Sequence, residues 1–178
     1  MKKETGMNYK EKLTEIRAFV FDFDGVMTDG SVWMYADKEA VRAGNIKDGY
    51  AIQYAVKMGY VVTVISGATS QSIDNRMASL GVKEIYTGAA SKKEVYKEFL
   101  AKHGLEEREV LVMGDDIPDY PLMGHCGVAT CPADAAEEIK EAADYISLYK
   151  GGEGCVRDVI EQVLRLQGKW FLPEALEW

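Results

Sequence analysis

The stretch AFVFDFDGVMTDG, residues 18–30, decides how the rest of the sequence is interpreted. Its first four residues are apolar or aromatic, a pattern that predicts a buried β-strand. Asp22 and Asp24 come directly after this run, although aspartate is a poor strand former and is seldom buried without a partner. Such a pair by itself is usually a surface acid pair or a turn, so its meaning depends on the residues that accompany it at the other strand ends.

Strand and helix patterns alternate along the chain from this stretch onward. Such alternation favours an α/β fold with a doubly wound (Rossmann-like), mostly parallel sheet. The predicted strands lie within IRAFVFDF (16–23), YVVTVISG (60–67), VKEIYTG (82–88), EVLVMGDD (109–116), DYPLMGHCGVA (119–129) and DAAEEIKEAADYISL (134–148).

The predicted organisation is a single domain with short ends. Residues 1–16 form a polar lead-in with one short helix, residues 17–168 form the domain and residues 169–178 form a tail. SVWMYADKEAVRAGNI, residues 31–46, predicts a small β-hairpin and is too short for a cap domain. The helix that follows is predicted to have Asp48 as its N-cap.

Composition predicts a globular protein of the cytoplasm. Of 178 residues, 47% are hydrophobic, yet no apolar run is long enough to span a bilayer and no signal-peptide pattern is found. The net charge of −8 argues against a nucleic-acid binder, because such proteins need a basic surface. Three cysteines and two histidines are too few and too scattered to predict disulfides or a zinc site.

Polar side chains stand at the ends of the predicted strands or at the start of the next helix. The carboxyl ends of parallel strands share one edge of a sheet, where ligands bind, so we expect these side chains to meet there. They are, in chain order, Asp22, Asp24, Ser66, Lys92, Asp115 and Asp116.

This set of side chains predicts phosphoryl transfer with a metal ion. Four carboxylates in one crevice repel one another unless a cation balances them. Mg²⁺ prefers oxygen ligands and commonly accompanies phosphate. Ser66, the backbone after it and Lys92 would supply hydrogen-bond donors for phosphate oxygens.

Four segments resemble the motifs of the haloacid dehalogenase superfamily of phosphatases: DFDGVMTDG, VISG, the lysine of ASKKE, and GDDIPD. NIKDGYAI, GDDIPDYPLM and GGEGCVRDV are similar to its small capless branch. The resemblance covers residues 17–168 and extends to the LQGKW tail. It implies that Asp22 is the nucleophile and that Asp24 is the general acid and then the general base.

The resemblance also implies how the metal and the phosphate are held. Mg²⁺ would be bound by the Asp22 carboxylate, the Asp24 backbone carbonyl and Asp115. Asp116 and Asp119 would support these ligands from behind. The phosphoryl group would be held by Ser66, Gly67 and Lys92.

The substrate implied by the resemblance is a phosphorylated sugar acid, 3-deoxy-D-manno-octulosonate 8-phosphate, whose hydrolysis feeds lipopolysaccharide synthesis. Arg76 and Arg157 are the candidates for binding its carboxylate. A nine-carbon sugar acid 9-phosphate is the alternative. The branch often has Thr-Gly-Arg where this chain has Ser66-Gly67-Ala68, and a basic residue where it has Glu153.

Two further expectations concern assembly and class. The hairpin carries Val32, Trp33, Met34, Tyr35 and Val41, more apolar bulk than a solvated edge should show. The resembling branch forms homotetramers in which a neighbour covers each site, so we expect the same here.

A non-enzymatic receiver-like phosphoacceptor domain is a remote alternative, because the third strand offers no aspartate to accept the phosphoryl group.

Overall fold

The computed structural model describes residues 8–177, and a six-stranded sheet forms the centre of this part of the chain. All neighbouring strands are parallel, in the order β3-β2-β1-β4-β5-β6. The chain reverses its direction of winding between β1 and β4, which confirms the doubly wound prediction. The strands are β1 Ala18–Phe21, β2 Val61–Ile65, β3 Glu84–Tyr86, β4 Val110–Met113, β5 Val128–Cys131 and β6 Tyr145–Ile146.

Helices cover both faces of the sheet. Successive side chains of β1 point to opposite faces, so Phe19 and Phe21 enter one core whereas Ala18 and Val20 enter the other. α2, α3 and α7 pack on the first face, and α4, α5 and α6 pack on the second. The helices are α1 Tyr9–Lys12, α2 Ile46–Lys57, α3 Gln71–Ser79, α4 Lys92–His103, α5 Tyr120–Met123, α6 Glu137–Ala142 and α7 Cys155–Leu166.

The closing helix α7 follows its predicted apolar stripe. Val156, Val159, Ile160 and Val163 are fully buried against the first face of the sheet. Burying each side chain contributes about 1.5–3 kcal/mol, and the spacing of three and four residues places them all on one side of the helix.

The prediction that Asp48 is the N-cap of α2 is wrong. The helix begins three residues earlier, because the side chain of Asn45 accepts hydrogen bonds from Lys47 N at 2.8 Å and Asp48 N at 3.4 Å. Asp48 is instead fully buried, and its Oδ1 accepts a hydrogen bond from Arg157 N in the first turn of α7 at 2.7 Å. Its carboxylate therefore joins the two helices.

The insertion between β1 and α2 is a reduced hairpin. Trp33 and Val41 form one antiparallel bridge, with backbone hydrogen bonds of 3.0 and 3.1 Å. A two-stranded hairpin is marginal without a covering partner, and here the residues Trp33 and Met34 are 67% and 84% exposed. Within residues 8–177, neither this insertion nor residues 87–91 after β3 contains a cap domain.

The described ends of the chain pack on the domain. In the lead-in, Leu13 and Ile16 are buried in the core, while residues 1–7 lie outside the described part. In the tail, Lys169 O accepts a hydrogen bond from the Tyr54 hydroxyl at 2.9 Å. Residue 178 also lies outside the described part. The division into lead-in, domain and tail stays a prediction. No helix within residues 8–177 has the length and apolarity needed to cross a membrane.

Candidate active site

The strand register brings the predicted site residues to one edge of the sheet. Phe21, the last residue of β1, is paired with Val64 on one side and with Met113 on the other. The residues that follow these strands therefore leave the sheet at the same level. Asp22 is held there by a backbone hydrogen bond from its N–H to Met113 O at 3.0 Å.

Lys92 makes the central contact of the site. Its Nζ donates to Asp22 Oδ1 at 2.7 Å and to Asp119 Oδ1 at 2.6 Å. All three side chains are buried, so this ammonium group neutralises charge in a place that water reaches poorly. Lys92 is the first residue of α4, and Ser91 caps that helix by accepting a hydrogen bond from Glu94 N.

Asp115 completes a cluster of three carboxylates. Oxygen atoms of Asp22, Asp115 and Asp119 lie within 4.8 Å of one another. The Asp115 carboxylate lies against the backbone of Gly25, where a Cβ atom would stand 2.0 Å from Asp115 Oδ2. Gly25 also has a φ of +85°, so its lack of a side chain serves both the turn and the close approach.

The electrostatics of the cluster favour a divalent cation. Burial and the neighbouring Asp119 raise the pKa of Asp22 to about 6, against the lowering effect of Lys92. Burial and the charges of Asp22 and Asp119 raise the pKa of Asp115 to about 8. When all three carboxyl groups are ionised, they and the one ammonium group leave an excess of two negative charges, which a bound cation would offset. Carboxylate oxygens are the ligands that Mg²⁺ prefers, so this donor set fits that ion.

Asp119 and Asp116 shape the loop after β4. Asp119 Oδ2 accepts a hydrogen bond from Asp115 N at 3.1 Å while its other oxygen contacts Lys92, so Asp119 ties the lysine to the backbone of Asp115. Asp116 is exposed, and its Oδ1 accepts from Ile117 N at 2.8 Å at the start of the 3₁₀ turn Ile117–Asp119. The supporting roles of these two aspartates stay predictions.

Ser66 and Gly67 lie at the end of β2, as predicted. Ser66 is buried, and its Oγ accepts a hydrogen bond from Ala68 N at 3.2 Å. Because the oxygen is the acceptor in that bond, the hydroxyl hydrogen can be donated to a phosphate oxygen. Gly67 is exposed, with no atom within 4 Å of the place of a Cβ, so a ligand can approach its backbone.

Asp24 is not one of the three clustered carboxylates, and its side chain contacts Arg42. Arg42 Nε donates to Asp24 Oδ1 at 2.6 Å, and Arg42 Nη2 donates to Asp24 Oδ2 at 3.0 Å. Arg42 is a site residue that was not predicted from the sequence. The sequence gives it no distinct signal, because the insertion also carries the charged residues Asp37, Lys38 and Glu39.

The two predicted substrate arginines are in different surroundings. Arg76, on α3, lies against α2: a Cβ atom at Gly49 would stand 2.3 Å from Arg76 Nη2. Arg157 Nε donates to Glu161 at 3.3 Å, and its guanidinium group lies over Trp170, 5.4 Å from the ring centroid. The side chain of Arg157 therefore contacts its own helix and the tail. The structure does not bring it to the carboxylate cluster. The substrate roles of both arginines stay predictions.

Comparison with known proteins identifies the family. Residues 69–159, half of the chain, match the family described as haloacid dehalogenase-like hydrolase. Together with the parallel sheet and the strand-end aspartates, this match shows that the chain belongs to the haloacid dehalogenase superfamily.

Individual relatives match this protein along nearly the whole chain. The 3-deoxy-D-manno-octulosonate 8-phosphate phosphatase KdsC of Escherichia coli K12 is 35% identical over 164 residues, which are 92% of this chain and 86% of that protein. The crystal structure of the same phosphatase from Yersinia pestis has a TM-score of 0.88 at 33% identity, covering 90% of this chain and 87% of the other. The enzyme from Moraxella catarrhalis, crystallised with magnesium, phosphate and KDO, has a TM-score of 0.88 at 28% identity, with 91% and 93% covered.

Proposed function

We propose that this protein is a Mg²⁺-dependent phosphatase that hydrolyses 3-deoxy-D-manno-octulosonate 8-phosphate to the free sugar acid and phosphate, a step of lipopolysaccharide precursor synthesis. The observation that carries the proposal is the buried contact of Lys92 with Asp22, beside Asp115. It joins a nucleophile, a neutralising cation and a metal-binding carboxylate in one place. The related phosphatases give the substrate.

In the first step the carboxylate of Asp22 attacks the phosphorus atom, and the bond between phosphorus and the sugar oxygen breaks. The products of this step are an aspartyl-phosphate and the sugar alkoxide, which takes a proton from Asp24. Lys92 donates a hydrogen bond to the Asp22 carboxylate, so its positive charge reduces the repulsion between this carboxylate and the phosphate ester. Ser66 and the backbone of Gly67 would donate to the phosphoryl oxygens.

In the second step Asp24 takes a proton from a water molecule, which attacks the phosphorus atom and releases phosphate from Asp22. Asp22, Asp115 and the backbone carbonyl of Asp24 would hold Mg²⁺, which supplies positive charge to the phosphoryl oxygens when bound. Asp119 keeps Lys92 and the backbone of Asp115 in place.

The comparisons favour the eight-carbon substrate over the alternatives. The named relatives reported above are octulosonate 8-phosphate phosphatases, and they cover most of this chain, so neither the nine-carbon ester nor the receiver-like role is favoured. The departures at Ala68 and Glu153 involve none of the residues that form the contacts of Asp22, Lys92 and Asp115.

A phosphate-release assay tests this function. The purified protein would be given the eight-carbon ester, a nine-carbon sugar acid 9-phosphate and 4-nitrophenyl phosphate, each with Mg²⁺ and with a chelator in its place. We expect turnover only with Mg²⁺ and the highest kcat/KM for the eight-carbon ester. A preference above about tenfold for the nine-carbon ester, a difference of about 1.4 kcal/mol, would overturn the substrate assignment.

The proposal includes a homotetramer in which a neighbouring subunit covers each site. Its support is the exposed apolar surface of the insertion, formed by Val32, Trp33, Met34, Tyr35 and Val41. Light scattering of the wild type and of Trp33→Ser/Met34→Ser tests it. We expect a tetramer that the double substitution weakens, together with its activity. A stable and fully active monomer would contradict the assembly.

We place the enzyme in the cytoplasm. Cys131 and Cys155 are buried thiols outside any disulfide, which suits a reducing compartment. Fractionation of cells, followed by assay of each fraction, tests this placement.

A further inference from the structure

Two charged residues of the insertion connect the loops that carry the proposed chemistry. Arg42 contacts Asp24, in the loop after β1. Glu39, three residues earlier, accepts hydrogen bonds from Ser70 Oγ and from Ser72 N, the latter at 3.3 Å, at the start of α3. α3 follows the loop of Ser66. Residues 39–42 therefore run from the loop of the acid and base to the loop of the phosphate-binding serine.

We propose that Arg42 is a positioning residue that fixes the carboxylate of Asp24 for proton transfer to and from the reacting oxygens. This inference rests on the proposed function, in which Asp24 transfers those protons. A residue that moves protons must be held within hydrogen-bond reach of them, and a displacement of about 1 Å can lower a rate about 100-fold.

The geometry of the contact suits this role. A planar guanidinium group that binds both oxygens of a carboxylate fixes its plane as well as its position. The Arg42 side chain is 11% exposed, and its Nη1 donates to Ala40 O at 3.3 Å, so the guanidinium group is itself held. The Asp24 side chain is 32% exposed and would be free to turn without this partner.

The positioning role can be separated from a role in fixing the insertion. Glu39 anchors the same segment through Ser70 and Ser72, and it makes no contact with Asp24. Removing the Glu39 side chain takes away the serine contacts of this segment, whereas the hydrogen bonds between Arg42 and Asp24 involve other atoms. Glu39→Ala is therefore the matched control for Arg42→Gln.

The test compares two esters that differ in their need for an acid. The 4-nitrophenolate ion leaves without protonation, whereas a sugar alkoxide is a poor leaving group that needs the proton of Asp24. kcat/KM would be measured with Mg²⁺ for 4-nitrophenyl phosphate and for the octulosonate ester. The proteins are the wild type, Arg42→Gln, Asp24→Asn, the double variant, Glu39→Ala and Arg17→Gln, which removes an exposed arginine paired with Glu109.

We expect Arg42→Gln to lower kcat/KM for the sugar ester about 10- to 100-fold and for the aryl ester less than about threefold. It should cause no further loss in the Asp24→Asn background, because residues that act as a unit are not additive. Glu39→Ala should affect both esters equally, and Arg17→Gln neither.

Equal losses on the two esters for Arg42→Gln, or losses that multiply in the double variant, would overturn the positioning role while leaving the phosphatase function in place. A wild-type protein that hydrolyses neither ester would refute the proposed function, and this inference with it.

Discussion

The ammonium group of Lys92 lies 2.7 Å from the carboxylate of Asp22, although 70 positions separate the two residues in the sequence. The contact joins the end of the central strand β1 to the first residue of α4. The same ammonium group binds Asp119, so one cation serves two buried carboxylates. We therefore expect the stability of this edge of the sheet and the proposed chemistry to depend on the same side chain.

Replacing Lys92 by Met should destabilise the protein by about 3–5 kcal/mol, because Asp22 and Asp119 would remain buried without a cation. Urea unfolding in the absence of Mg²⁺ measures this loss. Lys97→Met is the control, since Lys97 pairs with Glu94 on the exposed face of the same helix, and it should cost less than about 1 kcal/mol. Equal losses in the two variants would contradict the central place of Lys92.

Asp22→Asn should abolish turnover without harming the fold. The substitution removes the nucleophile, so kcat should fall by at least about 10³-fold. It also removes a charge that Asp119 and burial disfavour, so the melting temperature without Mg²⁺ should not decrease. Phosphate release and thermal unfolding measure the two effects. Near-wild-type turnover in this variant would disprove the covalent mechanism.

Gly25→Ala should damage the metal site more than it damages the fold. A Cβ atom would stand 2.0 Å from Asp115 Oδ2 and displace that carboxylate, so more Mg²⁺ should be needed for half-maximal activity. Gly59→Ala is the control, because Gly59 has a similar φ of +86° and no atom within 4 Å of the added Cβ. Both variants should lose about 1–2 kcal/mol from the left-handed backbone, but only Gly25→Ala should change the Mg²⁺ dependence. A similar change in the control would refute the argument.

Asp48→Asn should change the pH dependence of stability. Burial raises the pKa of Asp48 to about 6 from 3.8, so between pH 4 and pH 6 the folded chain keeps a proton that the unfolded chain has lost. Stability of the wild type should therefore fall as the pH rises through this range, by up to about 3 kcal/mol from this group. The asparagine of the variant does not titrate in this range, so its stability lacks this contribution.

Urea unfolding of both proteins at pH 4 and pH 7, without Mg²⁺, measures this difference. The stability of Asp48→Asn relative to the wild type should increase with pH, while the shared contributions of Asp22 and Asp115 cancel. A relative stability that is independent of pH would show that Asp48 is not shifted in the folded protein.

Arg76→Ala should raise the KM for the octulosonate ester while leaving 4-nitrophenyl phosphate hydrolysis almost unchanged. Loss of a charge-assisted contact with the substrate carboxylate costs about 1.5–3 kcal/mol, or about 10- to 150-fold. Arg108→Ala, which removes an exposed arginine paired with Glu15 and Glu106, is the control. An unchanged KM for the sugar acid in Arg76→Ala would exclude this residue from substrate binding.

Local patterns determined the fold class and the place of the main site residues. The apolar run before Asp22 and the similar run before Asp115 are strands because their residues fill the cores on both faces of the sheet. In a parallel sheet such strands end at one edge, so the meeting of Asp22, Lys92 and Asp115 followed from order and spacing. The buried face of α7 could likewise be predicted, from the spacing of three and four residues between its apolar side chains.

Contacts between distant segments were decided only by the tertiary structure. α2 begins earlier than predicted because the Asn45 side chain caps it. Asp48 accepts a hydrogen bond from the backbone of Arg157, 109 positions away. The bond from Arg42 to Asp24 depends on how an irregular insertion folds back over the strand ends, and no periodicity encodes that path. Hydrophobic spacing specifies which face of an element is buried, whereas the partner of a charged side chain is set by the three-dimensional approach of loops.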